Sequence, residues 1–382
     1  MRICFLTPQY APALGGISSY GYNVTQGLAQ RGHEVVVITR ELRGRSAAET
    51  IGRVHVRRIP SIPLPPAHLF SHGFLSSLKV RYQFRPDLLH VNHPGVCVYG
   101  TPCHRMLTTV HTTLERERRA SVGSSLYAEY VRVTWPILVR VERDLMEKSQ
   151  KVICVSHHTA SSIARCVPSS RSKLSVLYNA VPEEWFRVER KAAEGLLLYV
   201  GRLTERKGLD SLLHAMTQVR SGFPHVKLII VGRGPLERRL AHAVRQMGLN
   251  RNVAFAGSVS DLELLDLYSR VTCFILPSLY EDCPYSLLQA FAAGVPVIST
   301  RVGGIPEIVH DNETGLLVPP YDWSALSSAI SRVLSDDALR RKLSRNEHTL
   351  ALQKYRIAAA LDSLESVYVE MLRSEDTHVA VT

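Results

Sequence analysis

Short apolar runs separated by helix-length stretches recur along the whole chain, and that alternation rules out most folds. The first half has runs at Arg2–Thr7, Glu34–Thr39, Val54–Arg58, Leu88–Asn92, Leu107–His111 and Val152–Ser156. The second half repeats the theme at Leu196–Val200, Val226–Val231, Val253–Ala256, Thr272–Leu276 and Val295–Ser299. Continuous runs of this kind suit strands covered on both faces, and strands joined through helices lie parallel. Between the first two runs Ile17, Tyr20, Val24 and Leu28 recur at helical spacing, one face of a helix. The 382 residues suffice for two domains of ordinary size. A polar, proline-bearing stretch from Tyr178 to Glu194 places the boundary, which predicts domains at 1–180 and 181–355 and a terminal segment at 356–382. The tail from Ser374 is expected to be unstructured. The Pro-rich segment Ile59–Phe74 is expected to be a surface loop.

The chemistry concentrates between Leu276 and Val309. A predicted strand there ends in a polar turn carrying Glu281. A short helix follows, with Pro284 suited to its first position and Gly294 just past its end. A second strand then leads to Gly303-Gly304. An acidic side chain and the free N–H groups of a helix start therefore meet at the carboxyl end of a strand. Open α/β sheets bind ligands there, and helix N-termini favour phosphate. The pattern reads as a sugar-nucleotide site.

This segment resembles the donor-binding signature of the retaining glycosyltransferases of family 4, which have the GT-B fold. The signature has two glutamates separated by seven residues, a small-residue stretch and a Gly-Gly-x-Pro-Glu turn. Glu281 matches the first glutamate, AFAAGVPVIS the stretch, and Gly303, Gly304, Pro306 and Glu307 the turn. The second glutamate is replaced by Gln289, which keeps one acceptor and gains donors but loses the charge-assisted bond.

The resemblance implies two Rossmann-like doubly wound domains facing a central cleft, the first binding acceptor and the second the nucleotide sugar. The last helix is then expected to return to the first domain. Glu281 is expected to contact the sugar hydroxyls and Gln289 the ribose. In YVGRLTERKG, Gly201 ends a strand while Arg202 and Lys207 clamp the two phosphates; Pro284, Tyr285 and Ser286 offer the helix start to the distal phosphate. Gly232, Ala256 and Gly257 lie in loops expected to face the base. Gly15 and Gly16 open the first helix, where absent side chains permit close approach to an anion. His111, in TVHTT, is expected near the donor sugar, orienting it and stabilising the forming charge. His93 and His104 are expected in loops of the first domain, His93 facing the acceptor; the other histidines carry no role.

Other chemistries find little support. There is no Asp-x-Asp, G-x-S-x-G or H-E-x-x-H, and Gly15-Gly16 is no G-x-G-x-x-G. No metal and no cofactor are therefore expected. The seven cysteines show no ligand spacing and suit reduced thiols in a cytoplasm. Residues 1–180 hold 23 Lys and Arg against 10 Asp and Glu, whereas residues 181–382 hold 23 against 24. The basic half suits an anionic or lipid-linked hydroxyl acceptor, or peripheral contact with the inner face of a membrane. Nucleic acid is not expected, since no basic segment is interleaved with aromatics. Two rivals use the same scaffold. One is a nucleotide-sugar 2-epimerase, which needs additional acid/base carboxylates in the first domain, where only 10 Asp and Glu occur. The other is an inactive nucleotide-sugar-binding subunit, hinted at by Gln289. A small metabolite is the alternative acceptor.

Overall fold

The computed structural model describes residues 1–13, 15–42, 44–60, 67–93, 105–114, 126–191 and 193–379. The chain forms two compact units, Met1–Tyr178 with Ile357–Thr382, and Asn179–Arg356.

The first unit runs β1 (Arg2–Leu6), α1 (Gly16–Gln30), β2 (Glu34–Arg40), β3 (Ala48–Ile51), β4 (Val54–Ile59), α2 (Ala67–Lys79), β5 (Leu88–His93), β6 (Met106–Val110), α3 (Leu126–Lys148), β7 (Lys151–Cys154), α4 (His157–Cys166) and β8 (Leu174–Val176). Its sheet is ordered β3-β4-β2-β1-β5-β6-β7-β8. All neighbours are parallel except the β3–β4 pair. Cys4, Leu6, Ile38, Val91, Val110, Val152 and Cys154 pack into a continuous core, and the residues alternating with them in β1 and β7 are buried too, which is why those runs read as unbroken apolar stretches.

The second unit runs β9 (Leu196–Val200), α5 (Leu209–Gly222), β10 (Lys227–Val231), α6 (Glu237–Gln246), β11 (Val253–Gly257), α7 (Asp261–Arg270), β12 (Cys273–Leu276), α8 (Tyr285–Ala292), β13 (Val297–Thr300), α9 (Ile305–Ile308), β14 (Leu316–Val318), α10 (Trp323–Ser335) and α11 (Asp337–Lys354). Its six parallel strands are ordered β11-β10-β9-β12-β13-β14. Polar caps start several helices. Ser260 and Glu263 close a capping box on α7, and Asp322 and Asp336 accept from the first-turn N–H groups of α10 and α11. Both units are thus parallel-sheet α/β layers, as the alternation of runs implies.

Three strands lie outside the predicted set. The β3 and β8 strands are half exposed along their length and β14 is only three residues long, so none carries a continuous apolar signal. The Pro-rich segment is only in part a loop, because helix α2 begins at Ala67, directly after Pro66; residues 61–66 lie outside those described. Cys97, Cys103 and His104 do as well. The expected unstructured tail is also corrected. The last helix, α12, runs from Ile357 to Val379, a stretch with neither Gly nor Pro to end it.

Helix α12 belongs to the first unit and packs on α1. Leu361, Leu364, Tyr368 and Met371 are its buried face. Arg31 and His33 pair with Glu365, at 2.5 and 2.7 Å, but such partly exposed pairs stabilise little. The interior anchor is stronger. The Tyr368 hydroxyl lies 2.6 Å from His90 Nδ1, and His90 Nε2 lies 2.7 Å from Thr109 Oγ1. Burial first, then the neighbouring His111, pulls His90 down to about 3, so it is neutral. Tyr368→Phe leaves a buried ring nitrogen without its partner. Urea unfolding is expected to show a loss of about 1–3 kcal/mol; an unchanged midpoint would mean that water replaces the hydroxyl. Among the described residues, no helix is long and apolar enough to cross a membrane.

Candidate functional site

In the second unit, the chain moves from β9 to β10 and β11 in one direction, and from β12 to β13 and β14 in the other. The β9–β12 border is therefore a switch point, and an open parallel sheet leaves a crevice at the carboxyl ends of its strands there. Gly201 and Arg202 follow β9, Gly232 follows β10, Ala256 and Gly257 close β11, and Glu281 lies in the turn after β12. Backbone bonds tie these loops together. Gly201 N donates to Val231 O at 3.0 Å, Leu203 N to Arg233 O at 3.0 Å, and Gly232 N to Gly257 O at 2.7 Å. Arg202 is exposed.

Lys207 and Glu281 are the charged centre of this end of the sheet. They are 8% and 6% exposed. The Lys207 ammonium donates directly to Glu281 Oε1, which also accepts from Ser278 Oγ at 2.9 Å. Arg206 adds a second cation 4.0 Å from Oε2 and lies over the Tyr280 ring. Burial pushes the Glu281 carboxyl up, but Lys207 and Arg206 together outweigh it and hold the group below its usual range. Burial lowers the ammonium of Lys207 against the opposing charge of Glu281. The site thus holds an ionised acceptor-only group beside a compact cation. The motifs imply separate tasks for these two residues; the structure brings them into contact. Ser278 carries no signal in the sequence, since a serine three residues before a glutamate is common.

Two glycines in the left-handed region clamp that turn from either side. Gly208 (φ 65°) follows Lys207, and a Cβ there would strike the Pro277 carbonyl. Gly303 (φ 55°) abuts the Glu281 carbonyl, which accepts from Gly304 N at 2.9 Å. Leu279 N donates to Arg206 O at 2.8 Å, joining the two loops. Further back, Glu347 Oε1 accepts from Val297 N at 2.9 Å and holds the start of β13.

Helix α8 starts at Tyr285, so Pro284 is the residue preceding the first turn (φ −74°, ψ 125°) rather than its first member. The helix thus starts one residue later than expected. Tyr285, Leu287, Leu288, Ala290, Phe291 and Ala292 are buried, whereas Ser286 and Gln289 are only partly so. Three residues apart, these two share a face.

In the first unit, Gly15 caps α1 and Gly16 opens it. His111 follows β6, half-buried, its Nε2 2.7 Å from Asn92 Oδ1 and its ring edge-on to Tyr20. Burial, then the neighbouring His93, pulls His111 down to about 3, so the ring is neutral. His93 is not in a loop. It is the last residue of β5, in register with Val110, and is 1% exposed. Its Nε2 lies 3.0 Å from Glu142 Oε1, which also accepts from Leu114 N at 2.9 Å. One carboxylate on α3 thereby holds the end of β5 and the segment after His111. Sequence spacing gave no hint of it.

Two families match this chain, one described as glycosyl transferases group 1 over residues 181–349 and one as glycosyltransferase family 4 over residues 14–185. The glycogen synthase of Mycobacterium tuberculosis is 27% identical over 98% of this chain and 96% of its own length. Among solved structures, sucrose-phosphate synthase from Thermosynechococcus elongatus superposes with a TM-score of 0.81 at 24% identity, covering 98% of this chain and 99% of that one. Anabaena HepE in complex with UDP-glucose gives 0.77 at 17% identity, over 97% and 100%. At such identities the structures speak for the fold alone.

Proposed function

Because the chain belongs to the glycosyltransferases of group 1 and family 4, we propose that it moves a hexosyl unit from a UDP- or GDP-linked sugar to a hydroxyl acceptor, with retention at the anomeric carbon. The observation that carries this reading is the buried Lys207–Glu281 pair at the carboxyl end of the switch point. An ionised carboxylate there can accept from two sugar hydroxyls. Lys207 and Arg202 supply fixed positive charge to the departing diphosphate, and the start of α8, directly after Pro284, supplies the backbone N–H groups of Tyr285 and Ser286 to its distal phosphate. Gln289 faces the ribose from the same helix. Gly201, Gly232, Ala256 and Gly257 leave room for the rest of the nucleotide.

In the first unit, neutral His111 orients the donor sugar, and Gly15 and Gly16 approach its anionic end. The acceptor is anionic or lipid-linked, matching the basic first half, and belongs to surface-glycan or glycolipid assembly at the inner face of a membrane. With two cations at the diphosphate, no metal ion is needed. The experiment is transfer from an α-linked sugar nucleotide to a simple glycoside acceptor, with and without EDTA, read by proton NMR. The expected result is an α-linked product at a rate that EDTA leaves unchanged. A β-linked product contradicts retention, and a rate abolished by EDTA contradicts metal independence.

A further inference from the structure

The hydrogen bonds around Asn92 settle which nitrogen of His111 carries the proton. Asn92 is wholly buried at the carboxyl end of β5. Its amide Nδ2 donates to Ile17 O at 3.2 Å and to Thr7 Oγ1 at 3.1 Å. The Ile17 carbonyl can only accept, and Thr7 spends its own hydroxyl proton on Gln9 O at 2.9 Å. The amide therefore has one orientation, with nitrogen toward α1 and Oδ1 toward His111. That oxygen lies 2.7 Å from His111 Nε2 and can only accept. The Nε2 atom must then carry the hydrogen, and in a neutral ring Nδ1 is left with a lone pair. Among the described residues no group bonds Nδ1.

We infer that Asn92 is a positioning residue for the transfer reaction: it locks His111 as the Nε2–H tautomer, so that His111 meets its substrate as a hydrogen-bond acceptor. This rests on the reading of His111 as the sugar-facing histidine and deepens it. The partner of Nδ1 is a donor, a sugar hydroxyl, and not a phosphate oxygen, which has no hydrogen to give. His111 is accordingly no proton donor to the leaving diphosphate. The Ile17 carbonyl that sets the amide lies in the first turn of α1, directly after Gly15 and Gly16, so the helix start and the His111 ring are joined through one side chain.

Long-range proton–nitrogen NMR of the full chain labelled with 15N-histidine reads the tautomer directly, with His111 identified by the signal missing in His111→Asn. The expected wild-type spectrum shows a protonated Nε2 and an unprotonated Nδ1; a protonated Nδ1 overturns the inference. Asn92→Ala is expected to give a mixed signal and a kcat roughly tenfold lower, the size of one lost hydrogen bond, with donor KM nearly unchanged. A single unaltered tautomer in that variant also overturns it. Should Asn92→Ala not fold by circular dichroism, two replacements of His111 still decide. Asn places its carbonyl oxygen near Nδ1 and Gln places its amide near Nε2, so His111→Asn is expected to retain more transfer than His111→Gln. The reverse order overturns the inference. A wild-type chain with the expected spectrum but no transferase activity would instead remove the proposed function and leave the tautomer standing.

Discussion

Lys207→Ala is expected to lower kcat/KM for sugar transfer by about a hundred- to a thousandfold, the usual effect of removing one preorganised donor from a developing negative charge. The size follows from burial. Lys207 is 8% exposed and sits against Glu281, so water cannot take over its task. The variant also leaves the Glu281 carboxylate buried with Ser278 and, at 4.0 Å, Arg206 as its remaining partners. Breaking such a pair on one side costs about 3–5 kcal/mol of stability. Two effects are therefore superimposed, and a second variant separates them. Joining Lys207→Met with Glu281→Gln removes both charges and is expected to regain most of the lost stability in urea unfolding, yet to transfer no better. Wild-type rates in Lys207→Ala would remove the phosphate role from this lysine.

Gly303→Ala is expected to damage both fold and activity. At φ 55° an alanine costs about 1–2 kcal/mol from backbone strain alone. Its Cβ would also collide with the carbonyl oxygen of Glu281, a backbone atom that cannot swing aside. The turn bearing the carboxylate must then move, and donor affinity falls with it. Gly32→Ala serves as the control. Gly32 also has a positive φ, 88°, but a Cβ there meets nothing within 4 Å. The Gly303 variant should lose clearly more stability than the Gly32 variant, and only the former should lose transfer. Equal losses would show that strain, and not contact with the Glu281 turn, explains the glycine.

The fold was legible wherever burial on both faces forces an unbroken apolar run. Strand β9 was read residue for residue as Leu196–Val200 because its middle residues have no exposed side. Strand β3 was not, since its side chains alternate between exposed and half-exposed and carry no such demand. The site was legible as a set of positions and illegible as a set of partnerships. Local motifs mark Glu281 and Lys207 each on its own, but nothing local announces a contact across 74 positions. His93 shows the same limit. Its sequence neighbours Pro94 and Gly95 suggest a loop, yet pairing with β6 carries the strand one residue further, and Glu142, 49 positions away, fixes the ring. Hydrogen-bond partners are set by the order of strands in the sheet, and that order does not appear as a local pattern.

The most direct test of the central claim is titration of the wild-type chain with UDP-, GDP-, ADP- and dTDP-sugars, read as a thermal shift together with slow release of free nucleotide. One sugar nucleotide is expected to stabilise the protein and to be slowly hydrolysed, and Lys207→Ala is expected to lose both responses. If no sugar nucleotide binds the folded wild-type chain, the buried ion pair after β12 is not a donor site and the proposed function falls.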